Sequence, residues 1–175
     1  MKKLIVSIFA LAAVVYSANA ADFVTGTGKA TLVAQVALTT TITGHDLGSG
    51  SFAGGELNFG IIGIGTASNI VSVNATTGAR TSTNVGISNN NITPTAAGFK
   101  ASGPLSSTYA LTLPSSVDLT DGSNVITVTN FSTYSAGTLN ASGDDYFSVG
   151  ADLTVPANAI AGAYTGDFII AVNYN

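Results

Sequence analysis

Between Gly162 and Asn175 the chain alternates with a period of two. Tyr164, Gly166, Phe168, Ile170, Val172 and Tyr174 fall on one side of an extended backbone, and Thr165, Asp167, Ile169, Ala171 and Asn173 on the other. Apolar on one face and mostly polar on the other is the pattern of a half-buried antiparallel strand. Burying Phe168, Ile170 and Val172 stabilises by roughly 4–9 kcal/mol, at about 1.5–3 kcal/mol each. A whole domain is stable by only about 5–15 kcal/mol. The stretch is therefore expected to be a core strand.

Similar stretches recur upstream. "ATLVAQVALTTTI" puts Ala30, Leu32, Ala34, Val36, Leu38 and Ile42 on one face, and "LNFGIIGIG" and "NIVSVNATTG" follow, the latter turning at Thr77-Gly78. "STYALTLP" groups Tyr109, Leu111 and Leu113, "NVITVTNF" offers Ile126 and Val128, and "DYFSVGADLTVP" offers Phe147, Val149, Ala151, Leu153 and Val155. Turn signals such as Asp121-Gly122 and Ser142-Gly143 separate them. No stretch after Ala20 reads as a helix, because β-branched residues, Gly, Ser and Asn dominate and they lose freedom in helices or favour turns. The pattern predicts one all-β domain, an Ig-like antiparallel β-sandwich of seven to nine strands, over residues 21–175. A closed barrel is the alternative.

Residues 1–20 read differently. Lys2 and Lys3 precede an apolar run from Leu4 to Val15, and Ala18-Asn19-Ala20 supplies a small-x-small cleavage pattern. These are the parts of a helical signal peptide. The run is shorter than the ~20 residues that span a bilayer, so we expect cleavage after Ala20, export, and no membrane span in the mature chain. The Lys-Lys start suits a bacterial signal.

Cleavage takes the net charge from −4 to −6, two lysines and no acid being lost. Only Lys29, Arg80 and Lys100 remain basic. Such a surface has little to neutralise phosphates, which argues against nucleic acid as a partner, and no basic cluster to dock an anionic membrane. Charged residues are 8% of the chain, against about 25% in ordinary domains, and the polar faces are built from Ser, Thr, Asn and Gly. With no cysteine, thiol chemistry and cysteine-ligated metals are excluded, and the core must hold without a disulfide.

Four short motifs in order carry a resemblance: "LNFG" at Leu57–Gly60, then "TYALTLP", "VGADLTVP" and the terminal "GAYTGDFIIAVNYN". Together they resemble a bacterial family of secreted domains of unknown function. The terminal pattern is also similar to subunits of chaperone–usher pili, which end on a strand with a penultimate aromatic and a glycine thirteen residues before the last position. Tyr174 and Gly162 hold those places here. That resemblance implies strand addition into a groove beside the last strand, with identical subunits and a periplasmic chaperone and usher as partners. The assembly residues it implies are Ala30, Leu32, Ala34, Val36 and Leu38 as a donor face, and Gly162, Phe168, Ile170, Val172 and Tyr174 on the acceptor strand.

Catalytic constellations are sparse. His45, the one histidine, lies in the Gly-rich "TGHDLGSG" beside Asp46, and reads as a turn residue because a general base needs a nucleophile and an orienting group around it. One histidine and no cysteine cannot assemble the usual zinc or copper shells. "DLTDGSN" (Asp118 to Asn124) echoes a calcium loop but lacks its alternating Asp spacing and distal Glu, so an Asp-Gly turn is the better reading. Gly60, Gly63 and Gly65 resemble a phosphate loop only faintly, lacking the following helix and the Lys. No cofactor and no enzymatic activity are expected. The expectation is an exported structural or surface protein, a pilin-like subunit joined through strand edges. The alternative is a self-contained monomeric extracellular domain that binds through its loops.

Overall fold

A computed structural model of the chain describes residues 22–25, 29–31, 37–40, 47, 50–84, 87–88 and 93–174, and these are all-β. The signal-peptide stretch, His45 and Asp46 lie outside the described residues. In chain order the strands are β1 (Asp22–Thr25), β2 (Lys29–Thr31), β3 (Ala37–Thr39), β4 (Phe52–Gly54), β5 (Ile61–Ile62), β6 (Asn69–Val73) and β7 (Arg80–Ser82). They continue as β8 (Ile87–Ser88), β9 (Ala96–Ser102), β10 (Tyr109–Thr112), β11 (Ser116–Thr120), β12 (Val125–Tyr134), β13 (Asp144–Val155) and β14 (Ile169–Tyr174).

A front sheet runs β10-β14-β1-β2, and a back sheet runs β11-β12-β13-β6-β7 with β9 on β13 and with β3 and β4 on β9. The organising element is β13. Its first half pairs with β9 and its second half with β6, while β12 lines its other edge. As the alternation requires, Phe147, Val149, Ala151, Leu153 and Val155 are all buried. Ser148, on the opposite face, is also fully buried, and its hydroxyl donates to the Ala75 carbonyl at 2.5 Å. That bond removes the cost of hiding a polar group.

The sandwich expected from the sequence is present, with four differences. The strands number fourteen among the described residues, several of them only two or three residues long. One pairing is parallel, β4 against β9, with Phe52 opposite Ala96. "LNFGIIGIG" is mostly loop, contributing only the two-residue β5 and a bridge from Asn58 to Thr95, because its glycines leave few side chains to pack. "ATLVAQVALTTTI" is not one strand: its described parts are β2 in the front sheet and β3 in the back sheet.

Two cores follow from this layering. In the first, both sheets contribute: Leu38, Phe99, Phe147 and Val149 from the back sheet meet Tyr109, Ile170 and Val172 from the front. Phe99 stacks on Phe147 at 5.3 Å and meets Phe168 edge-on at 6.2 Å and 89°, both favourable ring geometries. In the second, Val71, Val73, Ile126, Val128, Leu153 and Val155 of the back sheet are covered by loops. A β-bulge links the two. Pairing of β12 with β13 shifts between Thr129 and Ser132, and Asn130 takes φ 52° while its amide donates to the Asp152 carboxylate. The extra residue turns Phe131 inward, where it packs against both cores, the re-aiming that bulges achieve.

Candidate functional site: the terminal strand and its cleft

The chain crosses from the back sheet to the front sheet between Gly162 and Phe168. Thr165 pairs with Thr120 at the end of β11, each N–H donating to the other's carbonyl at 3.0 and 2.9 Å. Among the described residues, no other residue from Gly162 to Phe168 enters a cross-strand pair. Gly166 is required by the close approach: a Cβ there would lie 2.5 Å from the Asp118 carbonyl oxygen. At Gly162 a Cβ would lie 2.9 Å from a carboxylate oxygen of Asp121. The Gly-x-Tyr-x-Gly pattern is thus a steric consequence of pressing this segment against β11.

Asp121 is held in place by its own turn. Its carboxylate accepts from the Ser123 and Asn124 backbone N–H groups at 2.9 and 2.7 Å and from the Asn124 side chain at 2.9 Å. Bonds to the charged form favour it, and the carboxyl is pushed down to about 2, Asn124 being the main cause. "DLTDGSN" is accordingly a capped turn. Tyr164, half-buried beside it, donates its hydroxyl to the Ile160 carbonyl at 2.8 Å. Its phenol is shifted up by desolvation first and by the Asp121 charge second.

This segment forms one wall of an apolar cleft of about 850 Å³. Gly162, Ala163, Tyr164, Thr165, Gly166 and Phe168 line that wall, and the floor is the back sheet at Leu119, Ile126, Val128, Leu153 and Val155. Ile61, Ile64 and Ile160 also line it, and they are 43%, 46% and 59% exposed. Phe168 closes the inner end, its ring 5.6 Å from that of Phe131. The terminal stretch therefore runs from the cleft, which both parities of its first residues line, into the closed core.

Beyond Phe168 the strand is β14, shorter than the alternation suggests. Ile170 and Val172 are buried at 0% and 1%, Phe168 at 7%, and Ile169 is 51% exposed, so the register read from the sequence holds. β10 borders β14 from Tyr174 opposite Tyr109 to Ala171 opposite Thr112. β1 borders it from Asp22 opposite Val172 to Thr25 opposite Ile169, antiparallel. Of the candidate donor face, Ala30 lies in β2 opposite Val24, and Leu38, fully buried, lies in β3 opposite Ala101. Leu32, Ala34 and Val36 lie outside the described residues. The structure thus gathers Phe168, Ile170 and Val172 in one core, with Gly162 in the bend that precedes them and Tyr174 at the end of the same strand, and separates Ala30 from Leu38.

Two features carry no clear sequence signal. One is the network under β10, where the Tyr109 hydroxyl donates to the Asp145 carboxylate at 2.5 Å and lies 3.0 Å from the Ser135 hydroxyl, which itself reaches Asp145 at 3.2 Å. Burial, then the Asp145 bond, pushes the Tyr109 phenol well above its ordinary value. The other is the inward Phe131, for which the break in parity after Ile126 and Val128 was the available clue. Among the described residues no group of three or more His, Asp or Glu side chains is placed to hold a metal ion.

The molecule is an all-β sandwich with a cleft opening beside its terminal strand. Within that class the chain belongs to the family described as a domain of unknown function, DUF4402, whose pattern matches residues 49–174. No curated protein and no solved structure matches the chain. The matched stretch begins after β1, β2 and β3, so the strand bordering β14 opposite β10 comes from chain outside the family pattern.

Proposed function

We propose that this chain is an exported, non-enzymatic structural protein of the bacterial surface, a pilin-like subunit joined to identical subunits by exchange of the N-terminal strand. The reading rests on one observation, the pairing of β1 with β14. Four residues hold that edge, they precede the family domain, and they lead into Gly26-Thr27-Gly28. Swapping such an element between identical copies recreates the same hydrogen bonds in a neighbour, so its cost is low. The signal-like residues 1–20 and the pilus-like placing of Gly162 and Tyr174 support the same reading. A periplasmic chaperone that guards the β14 edge before assembly fits it too.

The test is sedimentation of the mature chain, residues 21–175, over a wide concentration range, with intact mass of exported protein to fix its start. The expected result is a chain beginning at Ala21 and a ladder of multimers that persists in mild denaturant. A single monomeric species at every concentration contradicts strand exchange. It would favour the second reading, a self-contained surface domain that binds a ligand.

A further inference from the structure

The chain leaves the back sheet at Val155 and reaches the front sheet through Phe168, and both of these ends are buried. Between them, from Ala157 to Asp167, every residue except Ala159 and Tyr164 is exposed. Those two half-buried side chains pack against the second core. The segment forms no strand and contributes only the bridge at Thr165.

Among the described residues, its backbone hydrogen bonds to the rest of the fold sit only near its two ends. Upstream, the Asn158 N–H donates to the Gly65 carbonyl at 2.9 Å. Downstream, Thr165 exchanges its pair of bonds with Thr120. The bond from the Tyr164 hydroxyl to the Ile160 carbonyl stays inside the segment. It stiffens the segment without tying it down. Asn158 is held at φ 55°, a left-handed backbone that side chains resist.

We propose that residues 157–167 form a strap that opens and closes as one unit over the second core, with the Thr120–Thr165 pair as its latch. A segment with few buried contacts and solvent-facing hydrogen bonds opens well before the fold as a whole. Opening lifts Ala159 and Tyr164 off the core and leaves both Thr120 backbone groups to solvent. It also releases Asn158 from its left-handed backbone. A concealed apolar surface and the strand end beside it become accessible together, as under a lid. The strap lies within one chain, and its opening is independent of strand exchange.

The chain has no cysteine, so the latch can be locked covalently. Residues that exchange both backbone bonds have Cα atoms about 5.5 Å apart, a separation that a disulfide spans. Native-state hydrogen exchange is followed residue by residue in the mature chain, in Thr120→Cys/Thr165→Cys oxidised and reduced, and in Gly166→Ala. In the parent, Asn158 and Thr165 should exchange through one shared opening, with a weaker denaturant dependence than Phe147 and Val149 because less surface is exposed. Oxidation should slow both by roughly tenfold or more, and reduction should restore the faster exchange. Asn158 is decisive, because it lies at the far end from the cross-link and slows only if the strap moves as a unit. Gly166→Ala would bring a Cβ to 2.5 Å from the Asp118 carbonyl oxygen, so it should speed exchange at both residues and leave Phe147 unchanged. Exchange of Asn158 and Thr165 only at the rate of Phe147 would overturn the proposal. So would an oxidised form in which Thr165 slows and Asn158 does not. Should the double-cysteine form fail to fold, the parent and Gly166→Ala decide the matter, and different denaturant dependences for Asn158 and Thr165 reject a single strap.

Discussion

The two halves of the sandwich are built from the same alternating strands but finished differently. In the closed half, Phe99 and Phe147 from the back sheet meet Ile170 and Val172 from the front, and all four are at most 1% exposed. In the open half the back sheet continues, with Leu153 and Val155 as well buried as their alternation demands, yet its cover is loop, and Val117, Leu119 and Tyr164 remain half-buried. A continuous apolar face on one sheet does not guarantee a partner sheet over all of it. Where the partner stops, the same residues that would be core become a cleft.

This contrast can be broken by mutation. The largest effect is expected in the closed half: Ile170→Ala should cost about 2–5 kcal/mol, since the packed surroundings cannot collapse around the cavity. Leu119→Ala in the open half should cost less than half as much in the same denaturant titration, because its side chain already borders open space. Equal costs would show that the cleft is closed in solution.

Tyr109→Phe should come next. It leaves Asp145 without a donor at 2.5 Å, and losing a bond to a charged group costs about 1.5–3 kcal/mol. The phenol is held above its ordinary value, so its contribution is full below about pH 10 and fades as the pH rises from there. Thermal melts from pH 8 to 11 should show a smaller alkaline loss in the variant than in the parent.

The smallest effect belongs to Asp121→Ala beside the cleft. The carboxyl is depressed to about 2, so its contribution is present above an ordinary carboxylate value near 4 and fades as the pH falls toward 2. The variant should melt slightly lower at pH 7 and match the parent near pH 2. A difference that persists at pH 2 would mean that the turn is held by something other than the carboxylate.

Period-two alternation was enough to read the register of Phe168, Ile170 and Val172, the core face of β13 and the sandwich itself. It failed for β9, whose Ala96, Ala97, Gly98 and Ala101 are too small to read as a strand, although Phe99 at its centre is fully buried. Such small residues are chosen by how closely neighbouring strands approach, which is not a local property. The cleft was legible only in part. Gly162, Tyr164, Gly166 and Phe168 stand out in the sequence, but the floor comes from strands distant along the chain, and Phe131 reaches it through a bulge. The ends of the candidate donor face, Ala30 and Leu38, belong to different sheets, because alternation cannot say which sheet each end of a run joins.

Hydrogen exchange tests the central claim, that β1 is exchanged between copies along the edge of β14, most directly. Amide protection is measured across Ile169–Tyr174 in the monomeric and multimeric fractions of the mature chain, with Phe147 and Val149 as the internal reference. The account predicts that protection across Ile169–Val172 rises in the multimer while the reference stays unchanged. Equal protection in both fractions, or no multimeric fraction to measure, would contradict it.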